Sequence, residues 1–318
     1  MQSRQTDAPT TWGQLPFIHL PYADRVSETI LARHILTVMS YNIRTAVAQP
    51  GHEWADRAPL VSQVIARNGP DLLGLQEVRG NQLSDLLPDL TEYDWFGQGR
   101  DGGTAGEYGP VIFRRSRFER LDAGDFWLSG TPDAPGSNTW SSLHARFVTW
   151  VRLRERQTGD ELVFANTHLD HEATPHGDDV RTKSAELIAD QFAEVDTPIL
   201  LTGDFNTPRG SAAHVAFERA GFVDLSPAAE GTDVGTFHGY GPQRPGNARI
   251  DWVLGRSGGP GPHADLEPID TLVDDQPPTS EASDHFPVVI RAQLTRDAQL
   301  PELASASNPG GAVGHDGA

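Results

Sequence analysis

The segment LLTGDFNTP, residues 200–208, constrains the fold of this 318-residue chain more than any other. Apolar residues lead into Gly-Asp-Phe-Asn, a pattern typical of a buried strand that ends at polar side chains. Side chains alternate along a strand, so Asp204 and Asn206 are expected to point to the same side. The segment therefore predicts a sheet with a polar site at a strand end.

Polar residues accompany other apolar runs in the same way. We place each of them at the C-terminal end of its run: Asn42, Glu77, His168, Asp204 with Asn206, Asp251, and Asp284 with His285. One acidic residue at a strand end is usually a turn residue, but so many such positions in one chain indicate a common site. Ligands of α/β sheets bind in the loops at strand ends.

Strand-like segments outnumber helix-like segments, and several strands follow one another without a helix between them. This order favours mixed sheets covered by helices over a doubly wound parallel sheet. Hydrophobic spacing predicts helices over EWADRAPLVSQVIARNG with a stop at Gly69, NQLSDLLPDL, residues 178–195, and SAAHVAFERAG. The predicted strands are ILTVMSYNIR, DLLGLQEV, YGPVIFRR, RFVTWVRLRE, ELVFANTHL, PILLTGD, ARIDWVLG and HFPVVIRAQL.

The composition divides the chain into three parts. Residues 1–34 are predicted to be an N-terminal extension, residues 35–294 the folded domain, and residues 295–318, rich in Ala, Ser, Gly and Pro, a disordered tail. No apolar run has the length of a signal peptide or a membrane span. We therefore expect a cytoplasmic protein with no membrane insertion, and we take it to be a monomer.

The chain is acidic, with 25 Lys and Arg residues, 44 Asp and Glu residues and a net charge of −19. A broad basic surface for nucleic acid is therefore disfavoured, because such binding is mostly electrostatic, although a local basic groove remains open. Lys183 is the only lysine, which salt adaptation and high-GC codon usage explain equally well. The absence of cysteine excludes cysteine-held zinc and thiol nucleophiles, so a metal would need oxygen and imidazole ligands.

The clustered residue types suit one reaction class. Carboxylates and an Asn oxygen form a ligand set for Mg²⁺ or Mn²⁺, which prefer hard oxygen donors. Histidines titrate near neutral pH and can transfer protons. A hard cation beside an imidazole base is the machinery of phosphoester hydrolysis, in which the metal offsets phosphoryl charge and the base activates water.

Seven motifs, in chain order, resemble those of the endonuclease/exonuclease/phosphatase superfamily: SYNIR, LLGLQEV, GEYGPVIFR, NTHLD, LLTGDFNTP, RIDWVL and SDHFPVV. The resemblance covers residues 35–294. It implies an α/β fold of the deoxyribonuclease I type, which is a four-layer α/β/β/α sandwich of two mixed β-sheets. It also implies one active site at the strand ends.

The resemblance implies roles for the motif residues. Glu77 is similar to the family's main metal-binding carboxylate, assisted by Asn42, with Asp284 beside the metal. His285 resembles the general base that activates water, and Asp251 resembles the carboxylate that orients this base. Without the resemblance, Glu77 would be interpreted as a helix cap, and SDHFP as a turn before the last strand.

Asp204 and Asn206 resemble the pair that positions the nucleophile and a phosphoryl oxygen. His168 resembles the second imidazole, which contacts phosphate or assists the leaving group, and Glu107 stands where deoxyribonuclease I has the carboxylate partner of that imidazole. Apurinic endonucleases differ at His168, and also at Arg44, where they have a metal-side Asp. Both departures place this chain nearer to deoxyribonuclease I, sphingomyelinases and related diesterases.

Two further residues are candidates for contact with substrate phosphate, Arg249 in RIDW and Tyr108 in AGEYG. A salt bridge near Asp251 explains Arg249 equally well. The segment DHEATPHGDD, residues 170–179, is interpreted as a solvated loop before a helix, with a second metal site or a substrate lip as the alternative.

The motifs therefore predict an enzyme, a divalent-metal-dependent phosphodiesterase or nuclease, with DNA or RNA ahead of smaller phosphodiesters. The alternative within the enzymes is a phosphatase or a lipid-headgroup phosphodiesterase of sphingomyelinase or inositol-phosphate type. A non-catalytic binding module on the same scaffold is the alternative from another class. Such a module would be expected to lack Glu77, Asp251 or His285, and all three are present.

Overall fold

A computed structural model describes residues 35–226, 234–241, 249–259 and 264–296. The predicted extension, residues 1–34, lies outside the described residues, as does the predicted tail beyond Arg296. The last strand continues to Arg296, two residues past the predicted end of the domain.

The described residues form two six-stranded sheets and several helices. In one sheet the strand order is β11 (Ala264–Val273), β12 (Val288–Arg296), β1 (Ile35–Asn42), β2 (Leu72–Gln76), β4 (Val111–Arg114) and β3 (Tyr93–Phe96). In the other it is β5 (Phe118–Trp127), β6 (Phe147–Glu155), β7 (Glu161–His168), β8 (Ile199–Asp204), β10 (Asp251–Arg256) and β9 (Val223–Asp224). The helices are α1 (Trp54–Asn68), α2 (Gly80–Leu86), α3 (Pro175–Gln191), α4 (Ala212–Arg219) and α5 (Thr279–Ala282), with a 3₁₀ turn at Leu87–Asp89.

The predicted four-layer sandwich of two mixed sheets is confirmed. Strands β1 and β2 pair in parallel and β2 and β4 antiparallel, while β7 and β8 pair in parallel and β8 and β10 antiparallel. The two sheets face each other through an apolar core that includes Val38, Phe164 and Val253. Separate apolar clusters join the first sheet to α1 and α2, and the second sheet to α3 and α4. None of the helices formed by the described residues is both long and apolar enough to cross a membrane.

The predicted end of the first long helix agrees with the structure, whereas the predicted bounds of the third helix are shifted toward the C-terminus. Helix α1 ends at the predicted stop, because Gly69 adopts a left-handed conformation (φ 52°) and its N–H donates to the carbonyl of Ile65. Helix α3 was expected over residues 178–195 but spans Pro175–Gln191. The Thr174 hydroxyl caps it by accepting a hydrogen bond from the N–H of Gly177, and proline suits the first turn.

Strand register brings the polar residues to one edge of the sandwich. Asn42 is the partner of Gln76, which precedes Glu77, and Asp204 is the partner of both His168 and Asp251. The prediction that every one of these residues lies at the C-terminal end of a strand is wrong in two places. Asp251 begins β10, and the Asp284–His285 pair precedes β12. Strand β10 runs antiparallel to β8, so the start of one strand lies beside the end of the other.

A buried polar contact fixes the two sheets beneath this edge. The Asn166 side-chain oxygen accepts hydrogen bonds from Gln76 Nε2 (2.7 Å) and Thr202 Oγ1 (3.0 Å). The Asn166 amide donates to the carbonyl of Leu75 (2.7 Å). Gly74 makes this approach possible, because a Cβ there would lie 2.0 Å from Thr202 Oγ1. The network therefore sets the distance between β2 and strands β7 and β8, which carry the site.

Candidate active site

A pocket of about 320 Å³ opens at the edge where the strand ends meet. Seven of the predicted site residues line it: Glu77, Glu107, His168, Asp204, Asn206, Asp284 and His285. Asn42 and Asp251 are buried and hydrogen-bonded to members of this group. The polar residues at the strand ends thus converge on one place.

His285 is held between two carboxylates. Its Nδ1 lies 2.9 Å from Asp251 Oδ2, and its Nε2 lies 3.8 Å from Asp204 Oδ2. Burial alone would lower the pKa of His285, but Asp251 and then Asp204 raise it to about 10. Burial, with the nearby charge of Asp251, raises the pKa of Asp204 to about 7. The carboxylates around His285 therefore carry more negative charge than the neighbouring cationic side chains balance.

Asn42 bridges the two sheets at the base of the pocket. Its Nδ2 donates to Glu77 Oε1 (3.1 Å) and to Asp204 Oδ2 (2.9 Å). Its side-chain oxygen accepts from the N–H of Arg44 (3.0 Å). The amide of Asn42 thus orients both carboxylates, and its role as a metal ligand stays a prediction, since the side-chain oxygen keeps a second lone pair.

Glu77 is held as an anion at the end of β2. Its Oε2 accepts from the N–H of Thr45 (2.9 Å). Burial opposes ionisation, but this backbone hydrogen bond, the charge of His285 and the Asn42 contact together lower the pKa of Glu77. The segment that carries Thr45 is supported by the buried Arg57, which donates to the carbonyls of Ile43 and Arg44 among others.

His168 and Asn206 form a second contact on the other side of Asp204. Asn206 Nδ2 lies 2.9 Å from His168 Nε2, and that nitrogen lies 3.4 Å from Asp204 Oδ2. Burial and the charge of Arg146 lower the pKa of His168 well below its usual range, so the ring is neutral and Nε2 accepts from the amide. Asn206 lies in a turn (φ 52°) rather than on a strand, and its N–H donates to Asp204 Oδ1.

Three pocket residues have backbones in the left-handed region, which residues other than glycine rarely adopt. They are Arg44 (φ 58°), Glu77 (φ 64°) and Asn206 (φ 52°). Such conformations cost free energy and concentrate at functional sites. Each follows the end of a strand, and each turns a polar side chain toward the pocket.

The residues fit a hard divalent cation. The Oδ1 atoms of Asp284 and Asp251 are buried and have no hydrogen-bond partner among the described residues. The other oxygen of Asp284 accepts from Arg44 Nη1 at 3.0 Å, and burial raises the pKa of this carboxyl group. Oxygen and imidazole ligand atoms of Glu77, His168 and Asp204 lie within 4.8 Å of one another. A divalent cation would supply the positive charge that these carboxylates lack.

Glu107 does not pair with His168, contrary to the prediction. Among the described residues, its carboxylate lies 2.8 Å from Arg100 Nη1 and 3.6 Å from Arg79 Nη2. A backbone hydrogen bond from the N–H of Arg100 to the carbonyl of Glu107 closes the turn between them, which places a guanidinium next to the carboxylate. Glu107 lines the pocket as one member of this ion pair.

The two residues predicted to contact phosphate, Arg249 and Tyr108, do not line the described pocket itself. Arg249 is 3% exposed and donates to the carbonyl of Ser226, and its side chain does not line the described pocket. Tyr108 packs in the apolar cluster of the first sheet and exchanges backbone hydrogen bonds with Val78. It also lines a small cavity that shares Glu77 and His168 with the pocket, so its contact with substrate phosphate stays a prediction. The placement of Arg249 does not support such a contact.

Sequence reasoning missed a basic wall of the pocket formed by Arg100, His144, Arg146 and His171. His171 belongs to the segment interpreted as a solvated loop. The interpretation as a solvated loop holds only for the residues between Asp170, which is fully buried, and Pro175, where α3 begins. The position of His171, three residues after His168, was the available signal.

The chain matches the Endonuclease/Exonuclease/phosphatase family over residues 39–285. An endonuclease/exonuclease/phosphatase from Bacteroides vulgatus is 32% identical, with a TM-score of 0.73, and the match covers 82% of this chain and 99% of that one. A mannosyl-6-phosphatase from Bacteroides thetaiotaomicron is 32% identical, with a TM-score of 0.67 and coverage of 81% and 99%.

Protein angel from Drosophila melanogaster is 28% identical over 216 residues, which cover 64% of this chain and 58% of that protein. The chain therefore spans less than two thirds of that curated relative. The match to the family covers more than half of the chain, and the fold and the order of the motifs agree with it. The chain belongs to the endonuclease/exonuclease/phosphatase family.

Proposed function

We infer that the chain is a divalent-metal-dependent phosphoester hydrolase whose preferred substrates are small phosphate esters. The observation that carries this conclusion is the convergence on one pocket of the His285–Asp251 pair and three further carboxylates, Glu77, Asp204 and Asp284. Members of the family hydrolyse phosphoesters, which supports the predicted class of enzyme.

Glu77 and Asp284 would hold the Mg²⁺ or Mn²⁺ ion, with Asp204 nearby. When bound, the ion supplies positive charge that offsets charge on the phosphoryl oxygens and the leaving group. Arg44 stabilises Asp284 from the opposite side through its 3.0 Å ion pair.

His285 accepts the proton of the attacking water at Nε2, while Asp251 holds the proton on Nδ1. A protonated ring cannot act as a base, and the carboxylates favour that form. Additional positive charge beside Glu77 and Asp284 lowers the pKa of His285 toward the range that a base needs. The water oxygen then bonds to phosphorus, the bond from phosphorus to the ester oxygen breaks, and the departing alkoxide takes up the proton.

Asp204 and Asn206 position the water and a phosphoryl oxygen. The neutral His168, whose Nε2 accepts from the Asn206 amide, orients Asn206 beside the phosphoryl group. Positioning of this kind lowers the entropic part of the barrier, and a small displacement costs a large share of the rate.

A compact pocket with a basic wall in a chain of net charge −19 supports small anionic substrates over long nucleic acids. The 32% identical neighbour described as a mannosyl-6-phosphatase supports the same class. The second candidate is the phosphodiesterase acting on DNA or RNA that the motifs predict. Partly exposed arginines near the pocket, Arg44 and Arg79, favour it because they can contact flanking phosphates.

Hydrolysis of p-nitrophenyl phosphate and of bis(p-nitrophenyl) phosphate with Mg²⁺, Mn²⁺ or chelator tests the proposal. We expect metal-dependent turnover that falls roughly 10²- to 10⁴-fold in His285→Ala, with the melting temperature retained. His176→Ala is the matched control, since His176 is an exposed histidine outside the pocket. A His285→Ala protein with the full rate rejects the base assignment, and a wild type inactive on both esters with every metal supports the binding-module alternative.

A further inference from the structure

Arg146 is a buried cation with an unusual set of partners. It precedes β6, is 3% exposed and lines the pocket. In the ion pairs formed by the described residues, no carboxylate lies within 4.0 Å of its guanidinium, and its Nε has no hydrogen-bond partner there. Burying a guanidinium without a close counter-charge is costly, and burial with the nearby charge of Arg100 lowers the pKa of Arg146 to about 10.

Other buried arginines among the described residues place their terminal nitrogens against oxygen acceptors, although the Nε atoms of Arg100 and Arg181 lack a partner as that of Arg146 does. Arg57 donates to backbone carbonyls, Arg100 pairs with Glu107, and Arg181 pairs with Asp178. Arg146 therefore differs from arginines that only stabilise the fold. Its position on the pocket wall points to an anion that enters the pocket.

His171 orients Arg146. Arg146 Nη2 lies 2.8 Å from His171 Nδ1. A guanidinium can only donate, so Nδ1 accepts, and the neutral ring carries its proton on Nε2. Burial and the charge of Arg146 lower the pKa of His171, which agrees with a neutral ring. Both side chains line the pocket, so this wall presents N–H donors to a substrate.

Asp170 does not line the pocket, and its carboxylate limits the free-energy cost of burying the charge of Arg146. It is fully buried, and neither of its carboxylate oxygens has a hydrogen-bond partner among the described residues. Its charge offsets part of the lowering of the pKa of Arg146 and of His171 without a direct contact. Arg146 thereby stays charged while its donors remain available to a ligand.

We propose that Arg146, oriented by His171, binds the non-bridging oxygens of a phosphomonoester and makes the pocket selective for monoesters over diesters. The inference rests on the proposed phosphoester hydrolysis and names its substrate class. A monoester has a second ionisation near pH 6 and carries almost two negative charges at neutral pH, whereas a diester carries one. A guanidinium fork binds two phosphoryl oxygens. A monoester has three non-bridging oxygens, so it can give two to Arg146 and one to the carboxylate side of the pocket, whereas a diester has only two for both.

The ratio of kcat/KM for p-nitrophenyl phosphate to that for bis(p-nitrophenyl) phosphate tests the selectivity. We expect Arg146→Gln to lower kcat/KM for the monoester about 10- to 100-fold, the range for losing a hydrogen bond to a charged group, with a much smaller loss for the diester. Arg146→Lys keeps the charge without the fork and should fall between. Arg152→Gln changes an exposed arginine of the following strand β6 that is paired with Glu161, and this control should leave the ratio unchanged.

The orienting role of His171 has its own readout. His171→Asn keeps an acceptor for Arg146 and should preserve the substrate ratio, whereas His171→Leu removes the acceptor and should reduce the ratio as Arg146→Gln does. Equal behaviour of the two variants would show that His171 only fills space.

A binding measurement separates this inference from the proposed function. Inorganic phosphate, added with chelator present, should raise the melting temperature of the wild type and of Arg152→Gln but not of Arg146→Gln. An equal loss on both esters in Arg146→Gln overturns the selectivity and leaves the hydrolase standing. A wild type inactive on both esters overturns the hydrolase, and the phosphate shift then decides alone whether Arg146 is an anion site.

Discussion

Asp204 and Asp251 are register partners on the antiparallel strands β8 and β10, and they hold the ring of His285 between their carboxylates. This relationship contributes to the raised pKa values of His285 and Asp204. Each carboxylate favours the protonated imidazole, and burial together with the repulsion from Asp251 favours a proton on Asp204. The three groups therefore act as a unit in proton transfer.

We expect Asp251→Asn to lower kcat by roughly 10²- to 10⁴-fold, because the amide fails to hold the required tautomer of His285. The double variant Asp251→Asn/His285→Ala should be no slower than His285→Ala alone, since residues that act as a unit lose their effect together. Saturating kinetics on p-nitrophenyl phosphate measure this, and Asp122→Asn, an exposed carboxylate on β5, is the control. Losses that multiply in the double variant would indicate independent roles.

Glu77→Gln should weaken metal binding while the fold remains intact. A ligand that binds only the native state raises the free energy of unfolding, by about 2.7 kcal/mol at a hundredfold excess over Kd. The melting temperature of the wild type should therefore rise with Mn²⁺ or Mg²⁺, and that of Glu77→Gln should rise much less. Glu186→Gln removes an exposed carboxylate of α3 and should respond as the wild type does. A full metal response in Glu77→Gln would place the ion elsewhere.

The sequence predicted most of the site because its residues occupy strand ends, and strand ends are visible as changes from apolar to polar residues. His168, Asp204 and His285 meet as expected. The pairing of Glu107 with Arg100 depends on the turn between them and on the neighbouring Arg79, which local patterning does not encode. Arg146 was missed because an arginine before a strand is ordinary until its burial is known.

Four strands among the described residues escaped prediction for physical reasons, and one of them, β9, has only two residues. Strand β11 lies at a sheet edge, exposes Ile269 and Leu272, and contains Pro268 beside a register shift, so it lacks regular alternation. Strand β5 is also an edge strand, with a register shift between Arg120 and Asp122. Strand β3 has only four residues, all partly exposed. Edge strands bury one face or none, which weakens the apolar signal.

Asp125→Asn should change the pH dependence of stability through a carboxyl group that does not line the pocket. Burial raises the pKa of Asp125, although the Gln98 and Thr149 side chains donate to its oxygens. The folded state therefore binds the proton more tightly than the unfolded state does. The resulting stability is fully present below the unfolded pKa, about 3.9, and is lost as pH rises through the higher folded pKa.

Urea unfolding between pH 4 and pH 8 measures this dependence. The wild type should lose more unfolding free energy across that range than Asp125→Asn does, and the variant should gain relative to the wild type as pH rises. Asp122→Asn, on the same strand but exposed, should keep the wild-type slope. Parallel curves for the wild type and Asp125→Asn would mean that the carboxylate is adequately solvated.

Gly74→Ala should destabilise the protein by forcing the two sheets apart at the base of the site. The added Cβ would lie 2.0 Å from Thr202 Oγ1 and 2.6 Å from Asn166 Oδ1, and both side chains are fully buried. Overpacking of this kind costs about 1–3 kcal/mol. Because Glu77 follows the same strand, kcat should also fall as Glu77 moves away from Asp204. Urea unfolding and kinetics measure both effects.

A second substitution tests whether the clash is the cause. Thr202→Ala removes the closest atom, so Gly74→Ala/Thr202→Ala should be more stable than Gly74→Ala and should regain part of the rate. Thr202→Ala alone costs about 1 kcal/mol, since its hydroxyl donates to Ala165 and Asn166 oxygens. The free energies of the two single variants should therefore fail to add, as expected for residues in contact. If the two losses of unfolding free energy were additive, Gly74→Ala would act through the backbone. The spacing of the two sheets would then not depend on the absence of a side chain at Gly74.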